Sequence, residues 1–396
     1  MTATSARDIT VAILAGCLIA FLSFGLSAPF GVFLTPVSAD LGWEREVFSL
    51  SIAVQMLFWG FTQPIAGAVA DSRGSGRVIA LGAVTAATGF GMRALAETEA
   101  LFVLGGALVG IGTGAASFPI VIIALGKVVG AERRSFVMGL GTAAASLGMF
   151  AGAPLMAALI EAAHWRTGVW IIAVGYLLIL PAAIFIARVS KPTAGGGGAS
   201  YRAAISTAFR DRSYLCLFFG FFVCGFHVAF IQTHLPSYIA DTGVAAGAGA
   251  WALALIGLFN IAGSFGSGWL GQHASKKISL SAIYFLRAAV ITAFVMAPVS
   301  EIGVYVFSAA MGLLWLSTVP LTTALVAQTQ GLTFLSTLAG LIFMSHQFGS
   351  FLGAWLGGRI HDALGSYDLV WWAAVALGVF AGLIHLPIRE RAPAAA

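Results

Sequence analysis

Charge is scarce in this chain: 9% of its 396 residues are charged, while 59% are hydrophobic. Soluble domains carry roughly 25% charged residues, so a water-solvated globular class is excluded and the chain reads as an integral membrane protein. Cysteine is scarce as well. Cys17, Cys216 and Cys224 all fall inside apolar runs, where they act as small hydrophobes rather than as a disulfide framework or a thiolate metal site. There is no P-loop, no nucleophile–base arrangement and no metal-ligand spacing, so the sequence calls for no enzyme, cofactor or metal, and the driving force is expected from solute or ion gradients. No Asp or Glu lies deep in any apolar run. The formal charge of +5 does not point to nucleic acid, because the basic residues sit in short loops between apolar segments, which is a topology signal. The opening MTATSARDIT lacks a charged region followed by a short apolar stretch and cleavage site, so the first apolar run is expected to be a retained span.

What is present is apolar length. A span needs about 20 apolar residues, so this chain has room for about twelve. Runs bounded by charged or turn residues predict spans near 10–35, 48–70, 78–95, 101–129, 135–160, 167–189, 214–240, 250–271, 279–298, 303–329, 333–357 and 368–388. With both termini cytoplasmic, the inside connections hold Arg7, Arg73, Arg77, Lys127, Arg133, Arg134, Arg188, Lys191, Arg202, Arg210, Arg212, Lys276, Lys277, Arg389 and Arg391. The outside ones hold Arg45, Arg93, Arg166 and Arg359. That bias sets the orientation, in a bacterial inner membrane, and leaves Arg287 as the one basic residue within a span. The Gly/Ser-rich stretch between Ser190 and Asp211 divides six spans from six. The expected organisation is therefore a six-helix bundle over 1–189, a cytoplasmic linker over 190–212 and a second six-helix bundle over 213–396. Gly67-Ala-Val-Ala-Asp71 after the second span is weakly repeated as Gly268-Trp-Leu-Gly-Gln272 after the eighth, each followed by a basic turn. Internal repeats of this kind let two halves rock around a site between them.

The segment Gly67-Ala-Val-Ala-Asp71-Ser-Arg73-Gly74-Ser-Gly-Arg77 resembles the loop 2–3 signature of the major facilitator superfamily. The resemblance extends over nearly the whole chain and implies an all-α fold of about twelve transmembrane helices in two pseudo-symmetric bundles, working by alternating access as a monomer. Gly67, Asp71, Arg73, Gly74 and Arg77 are then expected to form a conformational latch, with Gly67 allowing close helix contact. Leu41-Gly-Trp43-Glu-Arg45, together with Ser345-His346-Gln347 and the Gly349, Gly353, Gly357 face, resembles bacterial proteins related to oxalate:formate antiporters and monocarboxylate porters. Members of that group often carry a carboxylate-binding arginine in span 8 and an acid in span 1; this sequence has neither.

Ionisable side chains at membrane depth mark function by default. Here they are His227 and His234 in span 7, Arg287 in span 9 and His346 in span 11, while His385 falls near a cytoplasmic end. His227 and His346 lie near the midpoints of their predicted spans, at matched depth. An imidazole can hold an anion when protonated and release it when neutral, which makes His227, His346 and His234 the candidate proton-coupling residues. Arg287 can present a fork to a carboxylate or pair structurally with carbonyls. Gln55, Gln232, Asn260, Trp315 and Thr318 are expected to complete a substrate site with His227, His346 and Arg287. The guest predicted by an interior with basic and neutral groups but no acid is a small organic anion, taken up with protons or exchanged. The alternative is an exporter of apolar or cationic compounds, favoured by the 30 phenylalanines. Glycines spaced by four at 106, 110 and 114, at 148 and 152, and at 349, 353 and 357 predict close helix pairs.

Overall fold

The protein is seen here as a computed structural model that describes residues 6–116, 120–121, 131–189, 201–245, 247–331 and 334–390. Every regular element among them is helical, as a bilayer requires of any chain that does not close a barrel. The first unit, Met1–Gly195, holds α1 (Ala6–Ser27), α2 (Leu34–Leu41), α3 (Arg45–Arg73), α4 (Ser75–Ala94), α5 (Glu99–Ala115), α6 (Ala131–Ala162), α7 (Trp165–Leu177) and α8 (Ile179–Val189). The second unit, Gly196–Ala396, holds α9 (Tyr201–Ala208), α10 (Arg212–Asp241), α11 (Ala248–His273), α12 (Lys276–Met296), α13 (Glu301–Leu314), α14 (Thr318–Gln330), α15 (Leu335–Leu364) and α16 (Asp368–His385). Among the described residues nine helical segments are long and apolar enough to cross a membrane. Residues 190–200 of the expected linker, with Lys127 and Arg391, lie outside the described residues.

Three predicted spans are broken rather than continuous. Span 6 is interrupted at Leu178, between α7 and α8. Span 1 runs from α1 through a 3-10 helix at Ala28–Phe33 into α2, with Pro29 at the start of that tighter turn. Span 10 breaks between α13 and α14, and Pro320 sits in the first turn of α14, where its missing N–H is harmless.

The same pairings recur inside each unit. In the first, α1 packs on α6, α3 on α5, and α4 on α7 and α8; in the second, α10 packs on α15, α11 on α13, and α12 on α16. Glycine makes the closest of these possible. A Cβ at Gly148 or Gly152 of α6 would run into the Phe21 and Gly25 carbonyls of α1. One at Gly349 or Gly353 of α15 would meet the Phe222 and Phe226 carbonyls of α10. The glycine faces at 106, 110 and 114 likewise meet Ser51, Gln55 and Thr62 of α3.

At Gly67 nothing among the described residues lies within 4 Å of the place a Cβ would take. Gly74 is the residue of the motif that geometry demands. It joins α3 to α4 at φ 93°, ψ 138°, a region open to glycine and strained for other residues. Arg73 and Arg77 flank it, both exposed, while the side chain of Asp71 lies outside what is described.

Candidate functional site

The second unit concentrates its buried polar side chains on α10, α12 and α15 and at the break before α14. Arg287 of α12 is fully buried. Its Nε donates to the Leu314 carbonyl at 3.1 Å and its Nη2 to Leu314 at 2.6 Å and to Trp315, while Nη1 has no acceptor. The guanidinium also stands over the Tyr284 ring, 5.3 Å from its centre. From α11, Asn260 Oδ1 accepts the Leu316 N–H at 3.0 Å, and Ser317 Oγ donates to the Leu313 carbonyl at 2.6 Å. The break in span 10 frees backbone groups that hydrocarbon cannot solvate, and these three side chains take them up. Asn260 and Arg287, expected as substrate ligands, thus also hold a helix break open.

Cys224 of α10 sits against that break. Its Sγ lies 3.3 Å from Thr318 Oγ1, and Arg287 and His346 stand beside it. Tyr284 of α12 faces the same thiol and Thr318. The structure therefore gathers Arg287, His346, Thr318 and Tyr284 around a residue that sequence reasoning reads as a plain hydrophobe. Its apolar neighbours in the chain hide it, and only the packing of α10 against α12, α14 and α15 reveals it.

The histidines separate into three environments. His227 Nε2 donates to the Ala374 carbonyl of α16 at 2.8 Å, which leaves Nδ1 without a partner in a fully buried ring that also faces Arg287. His346 Nδ1 bonds Gln347 Oε1 at 3.0 Å, and its ring stacks on Phe343 with centroids 5.5 Å apart and touches Phe221 at 4.9 Å. Phe221 and Phe343, with Thr322 and Thr323, line a cavity of about 60 Å³, enough for a few waters. The expected matched depth does not hold. The His346 ring touches Phe221 and stands beside Cys224, which sets it one to two turns from His227 along α10 rather than level with it. His234 is bound at both nitrogens, Nε2 to the Ala354 carbonyl at 2.8 Å and Nδ1 to the Tyr367 hydroxyl at 3.3 Å. Gln232 is buried on the same helix.

The first unit holds a site that sequence reasoning misses. Arg93, expected in an outer loop, ends α4 fully buried. Its Nε and Nη2 donate to Ser51 Oγ at 3.1 and 2.8 Å, Nη2 to the Ser51 carbonyl at 3.0 Å, and Nη1 to Gln55 Oε1 at 2.8 Å. Phe30, Phe90 and Phe102 surround the guanidinium at 4.8, 5.7 and 5.5 Å. Gln55, a predicted substrate ligand, is therefore engaged within its own unit. The available signal was an arginine closing an apolar run; its partners on α3 lie about forty residues away and are not legible from spacing. Among the described residues no Asp or Glu is buried in either unit.

Comparison with known proteins follows this geometry. The chain is 25% identical over 376 residues to the uncharacterized MFS-type transporter YcxA of Bacillus subtilis (strain 168), covering 89% of this chain and 88% of that one. It is 25% identical over 360 residues to monocarboxylate transporter 13 of Bos taurus, covering 87% and 81%. Its fold matches the crystal structure of a bacterial homolog to human lysosomal transporter Spinster, in an inward-facing and unoccupied conformation, with a TM-score of 0.75 at 14% identity over 96% of this chain and 94% of that one. Two six-helix halves, apolar spans and a match of residues 16–353 to the Major Facilitator Superfamily make this chain a member of that family, a multi-pass membrane transporter of small molecules.

Proposed function

We propose that this transporter carries a small organic anion of the monocarboxylate type by alternating access, as a proton symporter or an anion exchanger. The observation that carries the reading is the buried interior of the second unit, which holds Arg287, His227 and His346 and, among the described residues, no carboxylate. A guest that enters such surroundings is stabilised if it brings the missing negative charge and penalised if it brings a positive one. The similarity to monocarboxylate transporter 13 of Bos taurus supports the same class.

In this reading Arg287 offers Nη1 to the guest, His227 offers its Nδ1 as a proton site, and His346 sits behind the cavity's Phe221 and Phe343 with Thr318 and Trp315 completing the polar surface. Asn260 preserves the break in span 10, Gln232 and Gln55 contribute polar surface, and His234 braces α10 against α15. Gly67, Asp71, Arg73, Gly74 and Arg77 serve as a latch on the cytoplasmic side. The six-helix halves over 1–189 and 213–396 rock about the linker at 190–212 in a bacterial inner membrane, both termini cytoplasmic and the chain monomeric.

The test is uptake by proteoliposomes that contain the purified protein. Pyruvate, lactate and acetate are offered with and without an inward proton gradient, beside a lipophilic cation. Carboxylate uptake that the gradient accelerates and that His346→Gln or His227→Gln uncouples from pH is the expected result. Transport of the lipophilic cation alone would replace this reading with export of apolar or cationic compounds.

A further inference from the structure

Arg287 poses a charge problem that its hydrogen bonds do not solve. The Leu314 and Trp315 carbonyls satisfy Nε and Nη2, but they are dipoles, and Nη1 has no acceptor among the described residues. A permanent cation at membrane depth costs several kcal/mol unless an anion or water meets it. No buried carboxylate is present among the described residues. The side chains able to become anions beside this guanidinium are the Cys224 thiol and the Tyr284 phenol. Ordinary thiols ionise near about pH 8.5 and phenols near about 10, so the sulfur gives up its proton first.

The surroundings of Cys224 suit either protonation state. The Thr318 hydroxyl, 3.3 Å from Sγ, can donate to a thiolate or accept from a thiol. His346 of α15 stands beside the sulfur. On α12 the facing groups are Arg287 and Tyr284, and on α16 His385 stacks against Tyr284 at 5.0 Å. His227, one turn along α10, faces Arg287. The titratable residue of α11, His273, is spent at the helix end on the Trp269 carbonyl at 2.9 Å.

We propose that Cys224 is the proton carrier of this site, its thiolate acting as the resident counter-ion of Arg287 until an incoming monocarboxylate takes its place while the sulfur is protonated. The inference rests on the anion reading above and moves its proton carrier from the histidines to Cys224, with the histidines as relay. In the empty site, guanidinium and thiolate sum to zero charge. Loading forms one S–H bond with a proton from the aqueous side, separates the sulfur from the guanidinium and pairs the guanidinium with the carboxylate, so the site stays neutral. Release breaks that S–H bond, returns the proton through the His346 imidazole to the opposite aqueous phase and restores the thiolate–guanidinium pair. One proton crosses with each carboxylate, and the membrane interior never carries a net charge. A transporter with no buried carboxylate among its described residues thereby obtains an acid from a thiol.

Infrared spectroscopy reads the proton directly, because the sulfhydryl stretch lies in a window free of other protein bands. Full-length protein carrying Cys17→Ser and Cys216→Ser keeps Cys224 as its remaining cysteine. The expected spectrum at neutral pH without ligand lacks the sulfhydryl band, which appears at acidic pH and also when pyruvate, lactate or acetate binds at neutral pH. Arg287→Gln, which removes the cation, is expected to restore the band at neutral pH; if that variant fails to fold, the unliganded spectra at the two pH values decide alone. A full band at neutral pH without ligand would overturn the proposal. So would a carboxylate that raises thermal stability while leaving the band absent. If none of the carboxylates raises thermal stability, the anion reading itself fails, and the exchange fails with it.

Discussion

Each half of the molecule buries one arginine in its third long helix, and the two are held in different ways. Arg93 ends α4 and gives its hydrogens to two side chains and a carbonyl of α3, within a shell of three phenylalanine rings. Arg287 lies in the middle of α12 and holds the carbonyls of a broken helix, with Nη1 left over. Arg93 uses ordinary side chains and ring faces to join α3, α4 and α5. Arg287 sits where the backbone itself is irregular, and irregular backbone at membrane depth is tolerated where it lines a cavity or is buried in protein. The comparison teaches that a buried charge is not a site by itself: unspent hydrogen-bonding capacity next to a helix break marks the one that can meet a guest.

The largest effect is expected at Arg287. Arg287→Met leaves the Leu314 and Trp315 carbonyls without donors, at about 1–3 kcal/mol for each group, and removes the cation, so substrate-stimulated thermal stabilisation and transport should both vanish. Arg287→Lys keeps the charge without the fork; if it transports weakly but is well inserted, charge is the requirement, and if it fails to insert, the backbone contacts dominate. Asn260→Leu orphans the Leu316 N–H and should lower stability by about 1–3 kcal/mol, read as a drop in melting temperature with a change in transport rate, because it acts on the same break. Arg93→Met exchanges lost hydrogen bonds against the recovered cost of burying a charge, a trade that is often neutral or costs about 1–2 kcal/mol. Its transport by correctly inserted protein should match wild type. Ser51→Ala should be smallest, about 1 kcal/mol, since Gln55 and the Ser51 carbonyl still hold the guanidinium. Transport lost in Arg93→Met and kept in Arg287→Met would reverse the comparison.

The long spans were legible because about 20 apolar residues between charged turns leave few alternatives, and the glycine faces were legible because spacing by four puts small residues on one side of a helix. Gly225 was not singled out, although its Cβ would meet the His346 carbonyl, because it has no glycine partner at that spacing. The breaks after Ser27 and Leu314 had proline signals in Pro29 and Pro320, but a proline also sits inside α3, α6 and α10 without ending them. Proline alone therefore cannot separate a kink from a break. The buried polar positions of the candidate site were legible where residue type sufficed, at His227, Arg287 and His346. It was hidden where long-range packing decides: Arg93 needs α3 to be seen as buried, and Cys224 needs four helices to be seen as polar.

The most direct test of the central claim is the thermal stability of the detergent-solubilised protein with monocarboxylates, dicarboxylates, neutral solutes and lipophilic cations, at acidic and at neutral pH. Binding to the folded state raises apparent stability. An anion site that loads a proton with its guest predicts stabilisation by monocarboxylates, larger at acidic pH and absent in Arg287→Met. Stabilisation by lipophilic cations or neutral compounds alone, equal at both pH values, would contradict it.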